Sequence, residues 1–82
     1  MTTITLLASG DLRLSANQTC WPEQQKVEEA VTRAIEAEGF RVERGHPYDP
    51  EKGHGFIDSQ KYGREVFKNI DPDRPLVLAF AA

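Results

Sequence analysis

The sequence predicts an α/β fold: three parallel strands alternate with two helices in a sheet of order 2-1-3. Three observations carry that expectation. Short β-rich runs alternate with longer segments whose apolar residues recur at helical spacing. The turns from helix to strand are short and plain. Strands separated by such segments pair in parallel through right-handed crossovers, which puts the first strand in the centre.

Residues 4–8 (ITLLA) read as a buried first strand. Residues 9–21 keep no apolar period and carry Gly10, Asp11, Ser15 and Asn17, so a loop is expected there. Pro22 suits a first helical turn, and Glu23 complements the positive end of the helix dipole. Val27, Ala30, Val31, Ala34 and Ile35 then recur as a buried stripe, and Gly39 falls at the C′ position. Residues 40–44 (FRVER) alternate apolar and charged, the pattern of an edge strand with one buried face.

Residues 45–57 hold three glycines and two prolines and form a second long loop. Asp58 or Ser59 caps a second helix, whose stripe is Tyr62, Val66, Phe67 and Ile70. Residues 71–75 (DPDRP) make a turn, and 76–82 (LVLAFAA) a strand buried on both faces. The sum is a Rossmann-like, three-layer β-α-β-α-β unit. Its most apolar strand comes last and no further element covers it. Residues 1–82 are therefore expected to be one segment truncated from a larger protein. A small domain that packs its last strand in a homodimer is the alternative.

Composition narrows the classes. The chain is 39% hydrophobic and 28% charged, too apolar for disorder and too polar to span a bilayer. A formal charge of −3 and basic residues set beside acids argue against nucleic acid as a partner. No basic stretch precedes an apolar one at the N-terminus, and Cys20 has no second cysteine to pair with. Both features fit a cytoplasmic location.

Both long loops leave the carboxyl ends of strands, where open parallel sheets bind ligands. The first carries Ser9, Asp11, Arg13, Asn17, Gln18, Cys20 and Trp21; the second carries His46, Tyr48, Asp49, His54 and Asp58. Arg13 is singled out first, because a guanidinium forks onto carboxylates, phosphates or hydroxyl pairs. The plainer reading is a surface arginine paired with Asp11 or Asp58. His46, Asp49, His54 and Asp58 match no compact metal-ligand spacing, and a glycine-flanked His54 suits an Asx-type turn equally well. Cys20 needs a base such as His46 or His54 to act as a nucleophile, and a lone cysteine is more often a small buried hydrophobe. The first loop lacks both glycine-rich phosphate fingerprints, which argues against a nucleotide cofactor.

The strings LLASGDLRLSANQTCWPEQQ and HPYDPEKGHGFIDSQ resemble the N-terminal region of L-fucose isomerase-like proteins, a group that includes L-fucose and L-arabinose isomerases. IDPDRPLVLAF resembles the turn and strand that close the third β unit there. The resemblance covers nearly the whole chain but only the beginning of such a protein. It implies an aldose–ketose isomerase dependent on a divalent metal, usually Mn2+, whose ligands and acid/base carboxylates lie in later domains. No cofactor is then held by this segment and no catalytic residue is carried onto it. Its loops are implied to help form the sugar site, often that of a neighbouring subunit. Arg13 is the first candidate for a substrate hydroxyl, with Asp11, Trp21 and His54 behind it. The implied partners are a sugar, the remaining domains and neighbouring subunits, without membrane. The competing class is a non-catalytic sugar-binding or assembly module. A receiver-like signalling domain is rejected, because the third strand ends in Phe80-Ala81-Ala82 where a phospho-acceptor Asp is required.

Overall fold

A computed structural model describes residues 2–79. Three strands, β1 (Thr3–Leu7), β2 (Arg41–Arg44) and β3 (Leu76–Leu78), alternate with two helices, α1 (Leu14–Ala37) and α2 (Gln60–Asn69). The sheet is parallel in the order β2-β1-β3, as the sequence predicts. Thr3 pairs with Arg41 and Leu6 with Arg44 on one side of β1; Thr5 pairs with Leu76 and Leu7 with Leu78 on the other.

Side chains of a strand alternate between faces, so the register sorts them into layers. Arg44, paired with Leu6, reaches Glu28 of α1. The side chains of Thr5, Leu7 and Ile70 converge instead on Gly45. Thus α1 lies on the Leu6 face, and Ile70 at the C-terminal cap of α2 reaches the Leu7 face. Leu6, Leu7, Ala8, Trp21, Phe56, Val66 and Ala79 are the buried apolar residues.

Gly39 stands after the α1 C-cap with φ +93°, the left-handed conformation that ends a helix without a Cβ clash. Ser59 caps α2, its hydroxyl accepting from the Tyr62 amide at 3.1 Å.

Four expectations are corrected. First, α1 begins at Leu14, so most of the expected first loop is helical and Pro22 lies inside the helix. Proline there removes the bond to the Gln18 carbonyl. Both residues are exposed, so water can satisfy that carbonyl. Second, the buried positions of α1 are Asn17, Trp21, Gln24 and Glu28, with Val31 and Ile35 half-buried in the same row. Ala30 and Ala34 of the expected stripe face solvent. Third, Phe67 is 55% exposed, leaving Val66 as the buried residue of α2 with Tyr62 and Ile70 half-buried. Fourth, β3 is not buried on both faces: Leu76 and Leu78 are 49% and 57% exposed. They pair with Thr5 and Leu7 of β1 and so share that face of the sheet. Phe80, Ala81 and Ala82 of the expected strand lie outside the described residues.

Candidate functional site

Ser9–Arg13 leaves the carboxyl end of β1 and turns directly into α1. Asn17, one helical turn inside, fixes that turn with two bonds. Its Oδ1 accepts from the Asp11 amide at 2.8 Å and its Nδ2 donates to the Asp11 carbonyl at 2.7 Å. Such closure needs a residue without a side chain at Gly10. A Cβ there would lie 2.5 Å from Asn17 Oδ1 and 2.7 Å from Phe56 Cβ.

With its backbone held, Asp11 forms a fork with Arg13. Arg13 Nε donates to Asp11 Oδ1 and Nη2 to Oδ2, both at 3.1 Å, and the Arg13 amide adds a third bond to Oδ1 at 2.8 Å. The Arg13 side-chain bonds, then its amide, hold the Asp11 carboxyl at a pKa of about 2, and Asp11 in turn raises the guanidinium. The pair stays charged at physiological pH, and its exposed side chains are the surface Arg13–Asp11 pair of the plainer reading.

Beside it opens a cleft of about 560 Å³ lined by Ser9, Asp11, Arg13, Asn17, Cys20 and Phe56, with Leu78 of β3 at its margin. Its position is the point where strand order reverses. The chain leaves β1 toward β2 on one side and returns to β3 on the other, and open parallel sheets bind ligands outside that point.

The second loop, residues 45–58, builds the far wall. It runs alongside the end of β1, with Ile57 donating to the Ala8 carbonyl at 2.7 Å and accepting from the Gly10 amide at 2.9 Å. A tight hairpin closes it, in which the Asp49 carboxylate accepts from the amides of Glu51 and Lys52. His46 Nε2 accepts from the Ala8 amide at 3.0 Å, and His54 Nδ1 from the Phe56 amide at 3.1 Å. Burial first, then the charge of Arg44, lowers the His46 pKa to about 4. Lys52 donates to Asp58 at 2.8 Å, which raises the lysine, and burial raises Tyr62.

The strut of the whole edge is Arg44. Its Nε and Nη2 clasp the Glu28 carboxylate at 2.7 and 3.2 Å. Its other bonds reach the carbonyls of His46 and Gly55, each at 2.8 Å, and the guanidinium lies 5.5 Å from the centre of the Trp21 ring. Gln24 completes the network, donating to Glu28 and to the Ala79 carbonyl.

Of the four sequence candidates, Asp11 and Arg13 stand together on the cleft. Trp21 lies behind it, packed edge-on to Phe56 and Tyr48 with ring centres 5.4 and 5.5 Å apart. His54 is 1% exposed and serves the loop from within. Cys20 reaches the cleft, but neither histidine lines it, so no base stands beside the thiol there. Asn17, Arg44 and Phe56 were not singled out from the sequence. Arg44 did leave a signal: strand alternation sets it on the same face as Val42, a charge pointing inward.

Among the described residues no three His, Cys, Asp or Glu side chains come together as ligands. No described helix is long and apolar enough to cross a membrane.

The fold and its edge define a Rossmann-like α/β unit with a preformed, charged cleft at its switch point. No family model matches the chain, and neither does any curated protein or solved structure.

Proposed function

We propose that this chain is the N-terminal α/β segment of an L-fucose isomerase-like aldose–ketose isomerase of the cytoplasm. In that reading it supplies loop residues to the sugar site and surface to oligomer assembly, and is not catalytic alone. The observation that supports it is the Asp11–Arg13 fork standing on an open cleft beside Phe56. A vicinal diol presents donors and acceptors a short distance apart. An ionised carboxylate accepts from such hydroxyls, and the guanidinium N–H groups not already used donate to them. Asn17 fixes the backbone beneath Asp11, so the turn itself needs no reordering on binding.

The test is a ¹⁵N–¹H titration of the chain with L-fucose, L-arabinose and L-fucitol, with D-glucose as control. Shifts should concentrate on the amides of residues 9–17 and on Phe56. Arg13→Ala should weaken the effect at least roughly tenfold, about 1.4 kcal/mol. If the cleft amides stay still up to roughly 100 mM sugar, a binding free energy of only about 1.4 kcal/mol, the proposal fails.

A further inference from the structure

The second loop is held by an unusual pair of bonds. Two buried histidines, His46 and His54, each turn a bare ring nitrogen to a backbone N–H. An imidazole that accepts in this way must be neutral, and its proton sits on the other nitrogen. Hydrogen therefore sits on Nδ1 of His46 and Nε2 of His54, and neither atom has a hydrogen-bond partner. Adding a proton to either ring replaces the acceptor with a donor that faces another donor.

We propose that His46 is an acid-sensitive clip on a loop that His54 also holds, through the Phe56 amide. Protonation releases the 45–58 loop from the carboxyl edge of the sheet and moves the cleft wall that the loop carries.

The surroundings make His46 the leading member. Arg44 of β2 faces it with a permanent positive charge, and Tyr62 of α2 packs edge-on at 6.1 Å between ring centres. Glu28 of α1 stands behind Arg44 and is already engaged by it at 2.7 Å. A charged His46 thus adds a second buried cation where the one carboxylate is spoken for. His54 differs. Asp58 Oδ2 lies 3.7 Å from its Nε2 and is shared with Lys52 at 2.8 Å.

The sign follows from linkage. The fold favours neutral His46, so the released loop binds the proton more readily. The clip is fully closed above about pH 6.5 and opens as pH falls toward about 4. The wall that moves contains Phe56, whose amide is held by His54 and whose neighbour Ile57 pairs with Ala8 and Gly10.

Hydrogen exchange resolved by residue on the 82-residue chain is the test, corrected for the intrinsic pH dependence of exchange. Between about pH 7 and pH 4.5, protection of the Ala8 and Phe56 amides should fall at least roughly tenfold. Residues 24–35 of α1 should keep theirs. His46→Gln and His54→Asn place a neutral acceptor near the same position. Together they should abolish the pH response while keeping protection at pH 7. Should that double variant not fold, long-range ¹H–¹⁵N spectra of the wild type decide, since they read ring tautomers directly. They must show Nδ1–H for His46 and Nε2–H for His54 at neutral pH, and the His46 signal must change together with Ala8 and Phe56 protection. Loss of α1 protection in step with the loop, opposite tautomers, or an unchanged pH response in the folded double variant would overturn the proposal.

Discussion

Replacing Arg44 by Ala should cost most of the stability of this fold. Its side chain is 28% exposed and that of Glu28 only 11%, so the pair is largely withdrawn from water. The substitution leaves the Glu28 carboxylate with Gln24 as its remaining side-chain donor, at 2.9 Å. Stranding one partner of a buried ion pair costs about 3–5 kcal/mol. The His46 and Gly55 carbonyls each lose a charge-assisted bond of 2.8 Å, and Trp21 loses the cation at its face. Total stability at about 0.05–0.15 kcal/mol per residue is only about 4–12 kcal/mol for 82 residues. Urea denaturation followed by circular dichroism should therefore show Arg44→Ala as partly or wholly unfolded in buffer. Arg44→Lys should lose about half as much, because one ammonium cannot serve three acceptors lying in different directions. Pairing Arg44→Met with Glu28→Leu should recover at least about 2 kcal/mol relative to Arg44→Ala, since no charge is then stranded. A cost below about 1 kcal/mol for Arg44→Ala, or strict additivity of the two paired changes, would refute the reasoning.

Other outcomes follow from the same geometry. Gly10→Ala drives a methyl against Asn17 and Phe56 and should destabilise by roughly 1–3 kcal/mol in thermal melts; a neutral effect would mean the turn does not need the close approach described. Leu76 and Leu78 stand exposed on a strand paired on one side only, so the chain should self-associate and Leu78→Lys should reduce that in sedimentation velocity. A wild-type chain that sediments as a sharp monomer at high concentration contradicts this. The chain alone should not turn over L-fucose or L-arabinose with or without Mn2+. Turnover by pure recombinant protein would show that acid/base residues are present here after all.

The parallel order 2-1-3 was legible because it rests on local signals: β-rich runs, helical spacing, Gly39 at a helix end and Ser59 at a helix start. Each is decided within a few residues by backbone sterics or an orphan amide. The pairing of Arg13 with Asp11 was also weighed from the sequence, and the two side chains do pair.

The first half of α1 was hidden for a physical reason. Its buried row, Asn17, Trp21, Gln24 and Glu28, is helical in spacing but mostly polar in kind, so an apolar period shows nothing. Polar side chains there are stabilised by partners far off in sequence: Ala79 for Gln24 and Arg44 for Glu28. Pro22 strengthened the misreading, since its cost is small only where the Gln18 carbonyl meets water. His54 looked like a ligand residue for the complementary reason. Loop composition marks it as chemically able, and only packing decides that it holds an amide.

The sequence by itself determined the elements, their order and the edge at which the loops gather, because propensity, capping and crossover handedness are properties of short stretches of chain. The tertiary structure alone decided which charges are buried, which histidines are bound as neutral acceptors and which residues of the first loop line the cleft. Those outcomes depend on desolvation and on partners up to 55 residues apart, and no local pattern encodes them.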